Sequence, residues 1–366
     1  MLTSLRAQLD DEGHAGRVTL IEDSAKSCSA FPEDSFDSVV VNSVVQYFPS
    51  ISYLDDVLAN CARIVRPGGH LFIGDVRSLP LLPIQASSIE AFKAEPTTLV
   101  EELRRRVQAC IRQEPELVLS PSYFSSLPQR VAKVSHVEIY PKRGYSDNEM
   151  TRFRYDVVIS IGSRPVQLTE VPFFDQKQSG YTLNAILQEL SNRRGRALGL
   201  SNICNARLEK EADLFEKLSS ADAWQTFDAL CEPRTRSDSF AIHPEELVRV
   251  AAEIGYQAAI SWSTCATDGS YDAAFVGQQS SNVPVPKITW RLPSSRNHIK
   301  WGNTPGQASV RQKLTEQLLS YCQDNIPNHP VSFAIGLVDA FPRGPDGSVD
   351  REALLTKMRT PWYEDL

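Results

Sequence analysis

Three carboxylates and a phenol in this chain are placed to do chemistry: Asp75, Glu138, Glu149 and Tyr47, joined by the amide of Asn42. Each falls at or near the end of a stretch that reads as a β-strand. A carboxylate or phenol so placed can accept a proton from a nucleophilic nitrogen or hold that nitrogen by a hydrogen bond. Further polar side chains stand beside them, namely Ser43, Gln46, Arg77, Asn148 and Arg154. Other chemistries lack their spacing, because the chain contains no G-x-G-x-x-G, Walker loop, H-E-x-x-H, G-x-S-x-G or metal-spaced cysteine set. No metal is expected. Taken singly, each candidate has an ordinary structural reading: Asn42 and Ser43 as turn caps, Asp75 as a turn aspartate, Lys142-Arg143 as a surface pair. The ordered set is what points to function.

The elements that must carry these residues follow from hydrophobic patterning. Val39, Val40 and Val41, flanked by Phe36 and by Val44 and Val45, form a β-branched run suited to a strand buried on both faces of a parallel sheet. The strand gives way to Asn42, Ser43 and Gln46, where an open α/β sheet places its ligand crevice. From Leu54, the residues Val57, Leu58, Cys61, Ile64 and Val65 recur on one face of a helix, which Pro67-Gly68-Gly69 stops. Leu71 to Ile73 then make a second buried strand ending at Gly74-Asp75. Val18 to Ile21 reads as a further strand, Val134 to Tyr140 and Tyr155 to Ile161 as two more, and Leu2 to Leu9 as a helix. Leu99, Leu103, Val107 and Ile111 share a helical face that turns Arg104-Arg105-Arg106 to solvent. The rhythm of strand and helix predicts an α/β protein with a doubly wound sheet.

Beyond residue 165 the pattern is helical first and a strand pair later. Leu183, Ile186, Leu187 and Leu190 fall at helical spacing, the 207–218 stretch reads as a charged, exposed helix, and Pro244-Glu-Glu opens one with Leu247, Val248, Ala251 and Ile254 inward. Residues 193–205 are compatible with a surface connection. Ala258 to Trp262 and Tyr271 to Val276 read as strands. Gln278 to Pro286 is rich in Ser and Pro and reads as a linker. A helix over 310–322 follows.

The 366 residues leave room for about two domains. With 38 basic and 45 acidic side chains the net charge is −7, and no basic stripe interleaved with aromatics suggests nucleic acid. Seven cysteines, widely spread and odd in number, suggest reduced thiols. No apolar run is long enough to span a bilayer and no signal peptide opens the chain, so a cytoplasmic location without a membrane partner is expected.

The ordered residues resemble a known family. Phe36 to Arg77, with its NSVVQYFPS and GGHLFIGDVR, closely resembles the second half of a class I S-adenosylmethionine-dependent methyltransferase, and specifically the N-methyltransferase domain embedded in a nonribosomal peptide synthetase adenylation domain. Glu138, Lys142-Arg143-Gly144, Asn148-Glu149 and Arg154-Tyr155-Asp156 stand in that subtype's order, as do Leu119-Ser-Pro-Ser-Tyr-Phe and, later, Gly255-Tyr, Ser261-Trp and Asp272-Ala-Ala-Phe. The closing Asp346-Gly-Ser-Val-Asp-Arg resembles the end of an adenylation domain, with Ser348 where the family has its catalytic lysine. A hydroxyl cannot supply that positive charge.

The resemblance implies a partial class I sheet whose first strands and glycine-rich donor loop have no counterpart here. It places a truncated methyltransferase core at 1–165, an α+β extension at 166–283 and a small α/β adenylation remnant at 284–366. It implies S-adenosylmethionine as cofactor, with Asp23 and Ser24 toward the adenine and Asn42, Ser43 and Val44 beside the methionyl part. Glu138 is the first candidate for base or amine orienter and Asp75 the second, followed by Tyr47 and Glu149. Gln46, Arg77, Asn148 and Arg154 would face the substrate. That substrate is the amine of an aminoacyl thioester on a carrier protein, with other synthetase modules as partners. The alternative is an inert remnant acting at most as an interaction module.

Overall fold

The computed structural model describes residues 2–162, 168–169, 171–231, 240–277, 287–290, 300–325, 335, 341–344 and 348–354. Helix α1 (Leu2–Asp11) buries none of its side chains. Strand β1 (Phe36–Asn42) is built on the valine run, whose β-branched side chains suit an extended backbone. Ser50 then caps α2 (Ile51–Ile64) by accepting a hydrogen bond from Tyr53 N, and Leu54, Val57, Leu58 and Cys61 form its buried face. Gly68, at φ +85°, helps turn the chain within β2 (Val65–Arg77), which runs parallel to β1. Four helices follow, α3 (Leu82–Phe92), α4 (Val100–Arg112), α5 (Pro121–Ser125) and α6 (Leu127–Arg130). Strand β3 (Val134–Pro141), the short α7 (Glu149–Phe153) and β4 (Arg154–Ile161) complete a sheet ordered β1-β2-β4-β3.

The second part repeats this plan. A short β5 (Leu168–Thr169) precedes β6 (Phe173–Asp175), α8 (Gln176–Ser179), α9 (Leu183–Arg193) and β7 (Leu198–Ile203). Then come α10 (Glu209–Ser220), α11 (Phe227–Cys231), α12 (Pro244–Glu253), β8 (Tyr256–Ser261) and β9 (Tyr271–Gly277). The sheet order is β6-β7-β9-β8. In both sheets the first two strands are parallel and the other pairings antiparallel. Strand β10 (Lys287–Ile288) pairs with β5, and α13 (Pro305–Asn325) is the last long helix described.

The likeness extends to single residues. The register of β2 on β4 shifts between Ile73 and Val76, and that of β7 on β9 between Leu200 and Ile203. Each bulge holds a residue at positive φ, Asp75 (+62°) and Asn202 (+56°). Their backbone N–H groups donate to a carboxylate of the facing strand, Asp156 at 3.0 Å and Asp272 at 3.1 Å. The tyrosine before each carboxylate donates its hydroxyl to a backbone carbonyl, Tyr155 to Leu119 and Tyr271 to Ile242, both at 3.0 Å. Leu119 N and Ile242 N in turn donate to Arg77 O and Cys204 O. Each is followed by an N-cap residue and a proline that opens a helix.

One hydrophobic core, including Leu54, Leu71, Val157, Ile159, Leu200, Leu247 and Phe275, runs through both sheets. Trp262 N donates to Ile139 O across their junction. A second cluster joins α3 and α4 to α10 and α11 through Leu82, Leu103, Val107, Leu218 and Leu230.

Several expectations need correction. Residues 18–24 form no strand, and Ile21 is 58% exposed. Val40 is 65% exposed, so β1 is not buried on both faces. Among the described residues nothing pairs with the outer edge of β1, which leaves Val18 to Ile21 without a ladder. The antiparallel edge pair of β3 and β4 is, by contrast, what the resemblance implies for the last two strands, and it makes the first sheet mixed. Residues 193–205, whose pattern assigns no element, contain β7, an interior strand of the second sheet. Leu99 lies outside the α4 core face as an exposed N-cap, with Val100 inward, and Val250 replaces Ile254 on α12. Arg104 is not simply solvated, because its guanidinium donates to the carbonyls of Leu218, Ser219 and Ala221 at the end of α10. The expected linker at 278–286 lies outside the described residues. All seven cysteines are free thiols.

Candidate functional site

The bulge in β2 turns Asp75 toward the carboxyl ends of β1 and β2. Ser43, itself at φ +55°, stands at the end of β1 and donates its hydroxyl to one Asp75 carboxylate oxygen. The Lys142 ammonium pairs with the other oxygen, and also lies 3.1 Å from Asp156 Oδ1. Gly74 makes this approach possible, since a Cβ there would lie 1.9 Å from Asn42 Oδ1 and 2.7 Å from Phe72 Cε1. Burial by itself would raise the Asp75 carboxyl, but Lys142 and Ser43, with Arg154 nearby, hold it below the usual carboxylate range. Burial would likewise pull the Lys142 ammonium down, and the two aspartates keep it above the ordinary lysine value.

Around this centre some polar atoms lack partners. Gln46 donates Nε2 to Ser43 O at 3.1 Å, while its buried Oε1 has no hydrogen-bond partner. Arg154 donates to Glu149 at 3.1 Å, and its buried Nε has none. Orphaned buried polar groups are costly and call for a ligand or water. Asn148 accepts from Thr151 N as the cap of α7, which places Glu149 in the helix's first turn. Arg77 is spent elsewhere: it binds both oxygens of Glu114 at 2.6 and 2.9 Å, together with Glu116 and Gln85. Tyr47 is 71% exposed, and Val44 is exposed at the turn before it.

Glu138 has its own neighbourhood. The strand registers place Val40, Phe72, Val158 and Glu138 opposite one another across the sheet, hence on one face. Its buried carboxylate pairs with Lys287, and it raises the Tyr140 phenol, which burial raises most. Burial lowers the neighbouring His136.

The structure thus links Asn42 and Gln46 through Ser43 to the Asp75–Lys142 pair, sets Arg154 with its partner Glu149 near Asp75, and gives Glu138 other partners. Asp23 and Ser24 join neither group. Asp23 is exposed, and its carboxylate accepts from Ser24 N at 2.7 Å and is lowered chiefly by the Ser27 hydroxyl. Lys142 and Asp156 were absent from the expected site. Their signal lay in the Lys-Arg-Gly and Arg-Tyr-Asp runs, whose meeting across β3 and β4 needs the register to be known.

The residues expected to face a sulfonium donor are divided by the fold. Asn42 to Val44 sit at the crevice of the parallel strands, whereas Asp23 and Ser24 lie on an irregular segment outside the sheet. What the centre can do is hold a hydrogen of an incoming amine on an ionised carboxylate. With its basicity lowered by Lys142, Asp75 is better suited to orienting an amine than to removing its proton. Among the described residues no group of three or more His, Cys, Asp or Glu side chains could hold a metal, and no helix is long and apolar enough to cross a membrane.

Residues 1–73 match a methyltransferase domain family. Chondramide synthase cmdD of Chondromyces crocatus is 33% identical over 351 residues, covering 92% of this chain and 9% of the synthase. Nonribosomal peptide synthetase dtxS1 of Metarhizium robertsii is 28% identical over 356 residues, 96% of this chain and 4% of that one. The chain therefore spans less than a tenth of either relative. Among solved structures, an O-methyltransferase family protein from Burkholderia thailandensis aligns over 44% of this chain and 41% of its own, with 17% identity and a TM-score of 0.25. The chain carries a methyltransferase domain match at its N-terminus and is homologous to nonribosomal peptide synthetase modules over most of its length.

Proposed function

We propose that this chain carries the acceptor side of an S-adenosylmethionine-dependent N-methyltransferase of nonribosomal peptide synthesis, acting on the amine of a carrier-bound aminoacyl thioester. On this reading the first sheet is the carboxyl-side half of a class I methyltransferase sheet. The supporting observation is the Ser43–Asp75–Lys142 centre at the ends of two parallel strands, beside the unpartnered Gln46 Oε1 and Arg154 Nε. When bound, S-adenosylmethionine supplies an electrophilic methyl for in-line displacement by a neutral amine. Asp75 accepts a hydrogen bond from that amine and aligns its lone pair, and Gln46 Oε1 offers a second acceptor. The ammonium so formed gives up its proton to water, since Glu138 is engaged by Lys287 outside this centre. Tyr47 and Val44 line the mouth through which a tethered substrate enters.

A second reading, an inert synthetase remnant serving as an interaction module, draws support from Asp23 and Ser24, which are exposed on an irregular segment outside the sheets. Titration calorimetry separates the two. Saturable one-to-one binding of S-adenosylmethionine, with S-adenosylhomocysteine as competitor, is expected on the first reading, followed by methyl transfer to an aminoacyl thioester. A folded sample that takes up neither ligand would favour the second.

A further inference from the structure

A buried arginine of the second half grips the loop that supplies Lys142. The Arg207 side chain is 1% exposed. It donates Nη1 to Lys142 O at 2.7 Å and to Thr151 O at 3.4 Å, and Nη2 to Gly144 O. Glu245, in the first turn of α12, stands 3.6 Å from it and holds the same loop from the other side. Its carboxylate accepts two bonds from Arg143, both at 2.7 Å, and one from Gly144 N at 2.9 Å. A guanidinium is costly to bury, and burial lowers Arg207 below the usual arginine value. That cost goes into fixing three backbone carbonyls at both ends of one loop. Nothing in the core requires this, because residues 143–149 are largely exposed.

We propose that Arg207 and Glu245 are positioning residues for the acceptor site: they fix the Lys142 backbone so that its ammonium lies between Asp75 and Asp156. The proposal rests on the methyltransferase reading for its meaning, though not for its test. The second half of the chain then acts on the Asp75 centre through this clamp. Loosening the clamp lets the ammonium leave Asp75, whose remaining charged neighbours are Arg154 and Asp156.

The test follows the Asp75 carboxyl by carbon NMR titration in the full chain, with Asp75→Asn assigning the signal. Lys142→Met is expected to raise its midpoint by about one pH unit. Arg207→Gln should reproduce roughly half or more of that rise in protein whose spectrum remains dispersed, and Arg207→Lys, keeping charge but losing the fork, should fall between. A folded Arg207→Gln protein with an unmoved Asp75 midpoint, however much its Tm drops, would overturn the proposal. If that variant does not fold, Arg207→Lys and Glu245→Gln decide in its place, by the same criterion. Calorimetry with S-adenosylmethionine on the unaltered chain is read separately: absent binding would sink the methyl-transfer reading and leave the clamp result standing.

Discussion

The two four-stranded sheets share a strand order, a bulge and a tyrosine anchor, yet differ in what the bulge holds. In the first, Asp75 projects an ionised carboxylate toward Ser43 and Lys142, and neighbouring polar atoms remain unsatisfied. In the second, Asn202 stands at the same place and donates its amide to Asp175 Oδ2 at 2.6 Å. The fully buried Gln176 fills the space beside it, donating to Tyr181 O and Phe240 O and accepting from Cys204 N. The facing rows differ as well. Val40, Phe72 and Val158 leave the first sheet's face half open, whereas the Phe173 ring of the second lies over Gly199, where a Cβ would come within 2.8 Å of it. One backbone plan thus serves as a charged, incomplete crevice in one copy and as a closed structural knot in the other. The bulge sets direction, and the side chain decides whether chemistry is available there.

Five substitutions probe that contrast, beginning with the largest effect. Asp272→Ala should cost about 3 kcal/mol in urea unfolding, because it strands the Asn202 N–H inside the core. Asp156→Ala at the matching place should cost about half as much, since its surroundings are more open and Lys142 keeps Asp75. Equal losses would mean that the first bulge is as structural as the second. Gly199→Ala is expected to cost about 2 kcal/mol by pushing the Phe173 ring aside. Asp75→Asn should change stability by about 1 kcal/mol near neutrality, with a diagnostic pH dependence. The native Asp75 carboxyl is depressed, so its contribution is full above the unfolded carboxylate range near ~4 and is lost as pH falls through its own lower value. Denaturant titrations across that acidic window should therefore show a shallower slope in Asp75→Asn. Val40→Thr, on the exposed face of β1, should lie within about 0.5 kcal/mol of the parent. A larger loss would show that something covers that face.

Much of the first sheet was legible because its signals are local. Leu71 to Ile73 and Tyr155 to Ile161 carry strand-forming patterns, and Leu54 to Val65 carries the helical one. Strand β7 was not legible, since Leu-Gly-Leu-Ser-Asn-Ile has a glycine, a serine and an asparagine where a strand would show β-branched residues. Its burial between β6 and β9 overrides that weak propensity. Of the expected site, Ser43, Gln46, Asp75 and Arg154 come together, while Arg77 turns into an ion-pair cluster with Glu114 that no spacing announces.

By itself, then, the sequence determined which segments are strands and helices in the first sheet, and which runs carry polar groups at their ends. These follow from propensity and periodicity over a few residues. Only the tertiary structure decided that Lys142 meets Asp75, that Asp156 caps the bulge 81 residues away, and that Arg207 holds the loop. It also decided that Val40 faces outward. Such outcomes depend on register and on which neighbours cover a strand, and both are set by contacts between segments remote in the chain.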